Sequence, residues 1–567
     1  MFVSTRRKKG STRKPYASLI KILALILLLV VYRDYLLGEP SPFMSLNLEM
    51  PSKSSIVRDI GRLIFPLVWI GSAVSIFLSP FLSVSILRVP LASIFLFSWL
   101  FSTAIQQVGQ AGDAAGASRD NTIDAGTLAL FWIERRKLLD TLQTYSELVP
   151  TIVAFALVLL IFVWKPSPRI SIRGKWNVVA CLPIAMVVAM AVYSQGGTST
   201  FPTPVGLPIR LASAIVSVAK QDAVADRVHA RPVALHPEES RFEKIIVIMD
   251  ESVRAGFVNA KLMTKLGLID YGTTVSAGNC SRFSRFIFKR GLNPADLPKA
   301  FVPNGLVSEE PTVWQYAKAA GFKTVYIDAV GDAVLHDGIN RDELSHVDDR
   351  YYVRVRPIYM RDFDALKRLI AVVSQPGRAF IFLDKQGVHH PYQDKYPPNE
   401  ALSFEGQAVK APENKELREY QRNLLERYNK AVDWTVNRFI SDLLAHGLPE
   451  KTLLIYTSDH GQSLVENNTK WTHCSSGPST VNGEGLVPLL VYLRQDTPFS
   501  QSLRANAANF NGKYSHFQVF PTLLIALGYP VDAVTRSYGS SLLDPPPATR
   551  RFLKGGDVPQ LEWHTVE

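Results

Sequence analysis

A carboxylate and an imidazole sit side by side in Ser458-Asp459-His460-Gly461, straight after the apolar run Leu453-Leu454-Ile455-Tyr456. An apolar strand ending in Asp-His places both groups at its carboxyl end, where open α/β sheets hold their ligands. Oxygen and nitrogen donors of this kind suit a zinc-like ion. Alone the pair is a weak signal, because ordinary loops contain it too, but four other segments fit the same kind of site. Met249-Asp250-Glu251-Ser252 closes another apolar run and offers Glu251 as a further metal ligand. Gly278-Asn279-Cys280-Ser281-Arg282-Phe283-Ser284-Arg285 leads into a helix-like apolar run that stops at Arg290-Gly291. A hydroxyl or thiol that opens such a helix lies where backbone N–H groups and the helix dipole favour an anion. Metal coordination there would lower the nucleophile's pKa.

Two histidine segments complete the set. Gly387-Val388-His389-His390-Pro391 follows an apolar run at 379–383, and Trp471-Thr472-His473-Cys474 follows the Asp-His pair. Neutral imidazoles suit a second metal, a substrate phosphate, or proton transfer to a leaving group. Any one of these histidines alone reads better as structural; their ordered company reverses that. Lys385, beside the first segment, is a candidate contact for phosphoryl oxygens, or else a solvated surface lysine.

The elements that must carry these groups follow from the pattern after about Phe242. Short β-branched apolar runs at 244–249, 324–327, 379–383, 452–456 and 486–492 read as strands, with helical segments at 313–320, 362–374 and 417–446 among them. This alternation predicts an α/β domain, a largely parallel sheet with helices on both faces.

The first two hundred residues differ. Stretches at 18–37, 63–82, 84–105, 149–164 and 177–194 approach the length that crosses a bilayer. The second and third nearly merge, so four spans is the competing count. Basic clusters at Arg6–Lys14 and Lys165–Lys175 belong on the cytoplasmic side, which for five spans leaves everything after about Ser194 outside. The chain thus divides into a transmembrane domain at 1–195 with an extracytoplasmic polar segment at 106–147, a linker and interfacial helix at 196–241, and a catalytic domain at 242–567. Within these, 127–142 reads as an amphipathic helix and 208–230 as a helical pattern. The formal charge of +12 comes partly from the flanking clusters. With no basic stripe interleaved with aromatics, it points to anionic headgroups and not to nucleic acid. Three cysteines, Cys181, Cys280 and Cys474, exclude a dense disulfide framework. A single Cys280–Cys474 bridge stays open.

Together these segments resemble the alkaline phosphatase superfamily over residues 242–545, and within it the membrane-anchored phosphoethanolamine transferases and lipoteichoic acid synthases, whose domains are sulfatase-like. Ser458-Asp459-His460-Gly461-Gln462-Ser463-Leu464-Val465-Glu466-Asn467 is similar to the transferases' Ser-Asp-His-Gly-Glu-Ser-Leu-Gly-Glu-Asn. Gly387-Val388-His389-His390-Pro391 with Lys395-Tyr396-Pro397 resembles their Gly-Ser-His-Gly-Pro…Arg-Tyr-Pro, and Asp250-Glu251-Ser252-Val253-Arg254-Ala255 their Gly-Glu-Ser/Thr-x-Arg-Ala. Ser515-His516-Phe517 with Phe520-Pro521-Thr522 resembles a helix common across sulfatases. The resemblance implies an α/β/α sandwich behind a bundle of about five transmembrane helices. It implies that Glu251, Asp459, His460 and the nucleophile bind zinc, one ion or two, ahead of another divalent metal such as manganese. His389 and His473, with His390 beside them, would meet a second ion or the substrate phosphate and move protons. The transferases use a threonine after Cys-Gly or a near variant, and none occupies 278–285. The sulfatase pattern Cys/Ser-x-Pro-Ser-Arg…Gly instead lays its nucleophile on Ser281, with Cys280 as the alternative. Phe283 in place of the proline argues against formylglycine chemistry at Cys280. The activity implied is transfer of phosphoethanolamine from phosphatidylethanolamine to lipid A or another envelope glycan through a covalent phospho-enzyme, at a bacterial inner membrane with the catalytic domain in the periplasm. The alternatives are a phosphoglycerol transferase, a phosphodiesterase, a sulfatase, or an inactive glycan-binding relative.

Overall fold

The computed structural model describes residues 228–566, apart from 296, 303–304, 331–338, 356, 402–403, 467–472, 476–479 and 556–561. The five expected spans, the segment 106–147 with its helix at 127–142, and the helical pattern at 208–230 as far as residue 227 lie outside the described residues. Among the described residues no helix is long and apolar enough to cross a membrane.

Eleven strands are described: β1 (Lys244–Asp250), β2 (Ile269–Val275), β3 (Phe301–Val302), β4 (Gly305–Leu306), β5 (Lys323–Asp328), β6 (Asp349–Tyr352), β7 (Ala379–Asp384), β8 (Thr452–Ser458), β9 (Leu486–Leu493), β10 (Arg551–Lys554) and β11 (Glu562–Thr565). Seven of them form one sheet in the order β2-β9-β8-β1-β7-β5-β6. β1 pairs in parallel with β7 and β8, and β5 in parallel with β7 and β6. β9 runs antiparallel to both of its neighbours, β8 and β2. The largely parallel sheet expected from the sequence is therefore present.

Its central strands read as unbroken apolar runs because both of their faces are covered. On β1, Ile245, Val247 and Met249 point into a core shared with helices Val313–Ala319, Pro498–Asn509, Val519–Leu527 and Val531–Tyr538. Ile246 and Ile248 point the other way, into a core with Arg361–Val373, Lys415–Val432 and Phe439–Ala445. The period-two alternation of a strand thus distributes one apolar run between two cores.

Parallel register brings the carboxyl ends together. Met249 lies opposite Asp384, Asp250 opposite Ser458, and Asp328 opposite Asp384. Polar side chains thereby gather along one edge, and the residues just beyond β1 and β8 are Glu251 and Asp459. The helix Ser281–Arg290 is pinned at its far end, where Lys289 and Arg290 pair with the buried Glu343 at 2.9 and 3.0 Å. It stops at Gly291, whose φ of 61° is the left-handed conformation that glycine adopts at low cost.

Candidate active site

Ser281 opens the helix Ser281–Arg290, with Cys280 in the extended conformation before it and no side chain bonded across that helix end. Its Oγ lies 3.1 Å from His460 Nε2 and 3.2 Å from Glu251 Oε1. Glu251, Asp459 and His460 are buried, and each offers a ligand atom within 4.8 Å of the others. The sequence placed these four side chains in one site, and the structure brings them together.

Each ligand is held from behind. His460 Nδ1 donates to the carbonyl of Gly461 at 2.7 Å, which orients the ring so that Nε2 faces Ser281 and Glu251. Asp459 Oδ1 accepts from the backbone N–H of Ser252 at 3.1 Å and of His460 at 2.8 Å. Ser252 has a positive φ of 63°, an uncommon conformation for a residue with a side chain, right where β1 turns to present Glu251. Gly387 comes so close that a Cβ there would collide with Asp250 and with the backbone of Glu251; this admits the loop that carries His389.

Arg285 stands one helical turn after Ser281, on the same helix face. Its Nη2 donates to Glu251 Oε2 at 2.8 Å, its Nε to Asp459 Oδ2 at 3.0 Å, and its Nη1 lies 3.3 Å from Asp384 Oδ1. Glu251 divides its oxygens: Oε2 meets Arg285, while Oε1 faces Ser281 Oγ and His460 Nε2. Burial alone would raise the Glu251 carboxyl, but Arg285, the His460 hydrogen bond and the charges of His389 and His460 hold it well below the usual range. Asp459 is pushed up to about 6 by burial and by Glu251, against His460 and Arg285. Burial opposes charge on His460, yet Asp459 and Glu251 raise it to about 9. Such concentrated negative potential around an imidazole and a hydroxyl fits a divalent cation. Two carboxylates and one imidazole, with a hydroxyl beside them, are donors that suit such an ion.

The His473 ring stacks on His460 at 4.5 Å, and His389 stands 6.1 Å from His473. The two histidine segments therefore converge on the metal set. His390 lays its ring edge-on to Tyr392 at 5.2 Å.

Two expectations need correction. Cys280 is bonded to Cys474, so the sulfur considered as an alternative nucleophile is spent in a disulfide and has no thiolate to offer. The bridge spans 194 positions and by chain entropy contributes up to about 5 kcal/mol. Lys385 is neither a phosphoryl contact nor a surface residue. It is fully buried, bonded to Asp250 and to the carbonyl of Thr435, 3.6 Å from Asp362, and its charge balances those carboxylates inside the fold.

His516 joins the nucleophile loop to the sheet. Ala277 N–H donates to its Nδ1 at 3.3 Å, and its Nε2 meets Thr457 Oγ1 at 3.0 Å. Because the Thr457 hydroxyl donates to the Pro488 carbonyl at 2.8 Å, Nε2 must carry the proton, so the ring is neutral. Burial pushes its pKa down from 6.5 to about 3. The unfolded chain therefore takes up a proton that the folded one refuses. Stability from this residue is full above pH 6.5 and falls by about 1.4 kcal/mol per unit as pH drops toward 3. Unfolding measured across that range should show the slope, and His516→Gln should flatten it; an unchanged slope would discard the account.

Arg285, Asp384, Asn279 and Glu484 belong to this site's frame, and reading the sequence assigned none of them. Only Arg285 carried a signal, as the arginine of the sulfatase pattern that begins at Ser281.

The sulfatase family model matches residues 245–529. The chain is 25% identical over 248 residues to the phosphoethanolamine transferase EptA of Salmonella typhimurium strain LT2, covering 41% of this chain and 42% of that protein. It is 24% identical over 326 residues to EptA of Escherichia coli O157:H7, covering 53% and 56%. The matches thus span about half the length of these curated relatives. The solved lipooligosaccharide phosphoethanolamine transferase A, an integral membrane protein from Neisseria meningitidis, shares the fold with a TM-score of 0.58 at 16% identity, covering 94% of this chain and 99% of that one. On the extent of the family match and the site geometry together, the chain is an enzyme of the sulfatase family within the alkaline phosphatase superfamily, similar to phosphoethanolamine transferases.

Proposed function

We propose that the chain transfers phosphoethanolamine from phosphatidylethanolamine to lipid A or another envelope glycan, through a phospho-intermediate on Ser281. One observation carries the reading: the Ser281 hydroxyl opens a helix and lies within 3.2 Å of both Glu251 and His460, inside the only metal-competent cluster among the described residues. The similarity to EptA proteins supports the headgroup. The apolar stretches before residue 195 and the likeness to an integral membrane protein support a membrane anchor. The disulfide supports an oxidising location such as the periplasm.

Glu251, Asp459, His460 and Ser281 would hold one zinc ion, and His389 and His473 stand where a second ion or the substrate phosphate would sit. Bound there, zinc would lower the pKa of the serine hydroxyl and offset charge on the phosphoryl oxygens. In the first step Ser281 Oγ, its proton released to solvent, forms a bond to phosphorus as the bond to the diacylglycerol oxygen breaks. His473 or His389 gives that leaving oxygen its proton. In the second step an acceptor hydroxyl bonds to phosphorus, its proton passes to the same histidine, and the serine oxygen leaves and takes back a proton from solvent. The helix N-terminus at Ser281 favours the negative phosphoryl group throughout. His390, beside His389, belongs to the substrate side in this reading. The complete donor set around Ser281 supports an active enzyme over a glycan-binding relic.

Mass spectrometry of envelope lipids and glycans from cells with and without the protein tests this. A gained phosphoethanolamine mass is the expected result. A phosphoglycerol mass would move the reading to the other headgroup, and free ethanolamine phosphate to hydrolysis. No change in either lipid or glycan would sink both transferase readings.

A further inference from the structure

Asn279 stands two residues before Ser281, fully buried, with every polar group engaged. Its backbone N–H donates to the Leu553 carbonyl at 3.0 Å, and its own carbonyl accepts from Cys474 N–H at 2.9 Å. Its Oδ1 accepts from Gly555 N–H at 3.1 Å, and its Nδ2 donates to the Ser475 carbonyl at 3.0 Å and to Glu484 Oε2 at 2.8 Å. Glu484 is equally buried. Its Oε2 also accepts from Ser475 N–H at 3.1 Å, and its Oε1 lies 2.6 Å from Ser475 Oγ. The backbone carbonyl of Glu484 accepts from Gly461 N–H at 2.8 Å.

One residue outside the metal set therefore touches three of the five segments that carry chemistry: the nucleophile loop through Asn279, the His460 segment through Gly461, and the His473 segment through Ser475. The Cys280–Cys474 bridge joins two of these segments covalently at one point. The carboxyl of Glu484 adds directional hydrogen bonds to the same two segments.

We propose that Glu484, acting with Asn279, is a positioning residue that sets the placement of His473 relative to Ser281, and hence the alignment of proton donor and nucleophile. The alignment claim rests on the transferase reading above; the placement claim does not. Burial raises the Glu484 carboxyl to about 7, against hydrogen bonds from Ser475 and Asn279, so a neutral side chain is easily accommodated. A glutamine there can accept from Asn279 and Ser475 N–H with its oxygen. Its amide can donate to Ser475 Oγ, whose own proton goes to Thr480 Oγ1 at 2.9 Å.

The test compares wild type, Glu484→Gln and Glu484→Ala as full-length chains in lipid, using phosphatidylethanolamine as donor and lipid A as acceptor. Glu484→Ala should lose about 100-fold in kcat with little change in KM, and keep its metal content. Glu484→Gln should restore kcat to near wild type. On the same samples, hydrogen exchange should quicken only in peptides spanning 276–283 and 473–485, with β1, β7 and β8 unchanged. Unaltered kcat and exchange in Glu484→Ala would overturn the proposal. So would exchange rising everywhere with activity falling in step, since that describes general unfolding. A wild type that transfers nothing, with the local exchange pattern intact, would discard the transferase reading and leave the positioning role standing.

Discussion

Ser281→Ala should lower turnover by about 10³-fold or more and leave the protein folded, with Glu251, Asp459 and His460 still in place to hold a metal. The expectation follows from how little else the hydroxyl does. Ser281 is half-buried, and its Oγ contacts only side chains of the site, Glu251 and His460. Losing those hydrogen bonds costs about 1 kcal/mol in stability, a small part of what holds the domain. The chemistry has no substitute nearby, because the neighbouring sulfur of Cys280 is bonded to Cys474. The remaining rate would come from binding and orientation alone. Two measurements decide the matter: kcat, and mass spectrometry of wild type quenched during turnover, which should find the transferred group on the peptide that begins the helix Ser281–Arg290. Unchanged turnover in the variant, or the adduct on another residue, would remove Ser281 from the role.

Arg285→Met should be the most destabilising single change in the site, by about 3–5 kcal/mol when metal has been stripped away. The guanidinium meets Glu251, Asp384 and Asp459, and all four groups are at most 2% exposed. Without it three buried carboxylates, Glu251, Asp384 and Asp459, lose the guanidinium that they share. A methionine fills most of the volume but returns none of the hydrogen bonds. A zinc ion held by Glu251 and Asp459 would supply positive charge to two of the three, so the loss should shrink when zinc is present. Thermal unfolding of the variant with a chelator and with saturating zinc gives the comparison. Equal losses in both conditions would mean that Arg285 and the ion do not share these carboxylates. Arg285→Lys should fall in between, because a point charge cannot span Glu251 and Asp459 as the planar fork does.

Much of this frame was legible in the amino-acid sequence, for a physical reason. β1, β7 and β8 are buried along their whole length, so each is a bare apolar run that ends where a carboxylate appears. Glu251 and Asp459 stand just past two of those ends. β2 was not legible: Ile-Asp-Tyr-Gly-Thr-Thr-Val breaks its alternation at a bulge between Asp270 and Thr273, on the edge of the sheet. β6, Asp-Arg-Tyr-Tyr, is a partly exposed edge strand, and its polar residues hid it. Lys385 misled because a lysine beside a strand end looks alike whether it faces solvent or a buried carboxylate. Only the fold supplies Asp250 and Asp362 as its partners. Asn279 and Glu484 lie 205 positions apart and meet through tertiary packing, which leaves no local spacing to read. The pairing of Cys280 with Cys474 was open for the same reason.

That pairing bears on how the protein must be made. Cys280 leaves the ribosome 194 residues before Cys474, so during synthesis it waits as a reactive thiol with no partner yet available. Production in a reducing cytosol would yield chains whose nucleophile loop is anchored by hydrogen bonds alone. Reductant carried through purification would undo the same link, so preparations that look fully folded would differ in specific activity with their oxidation history.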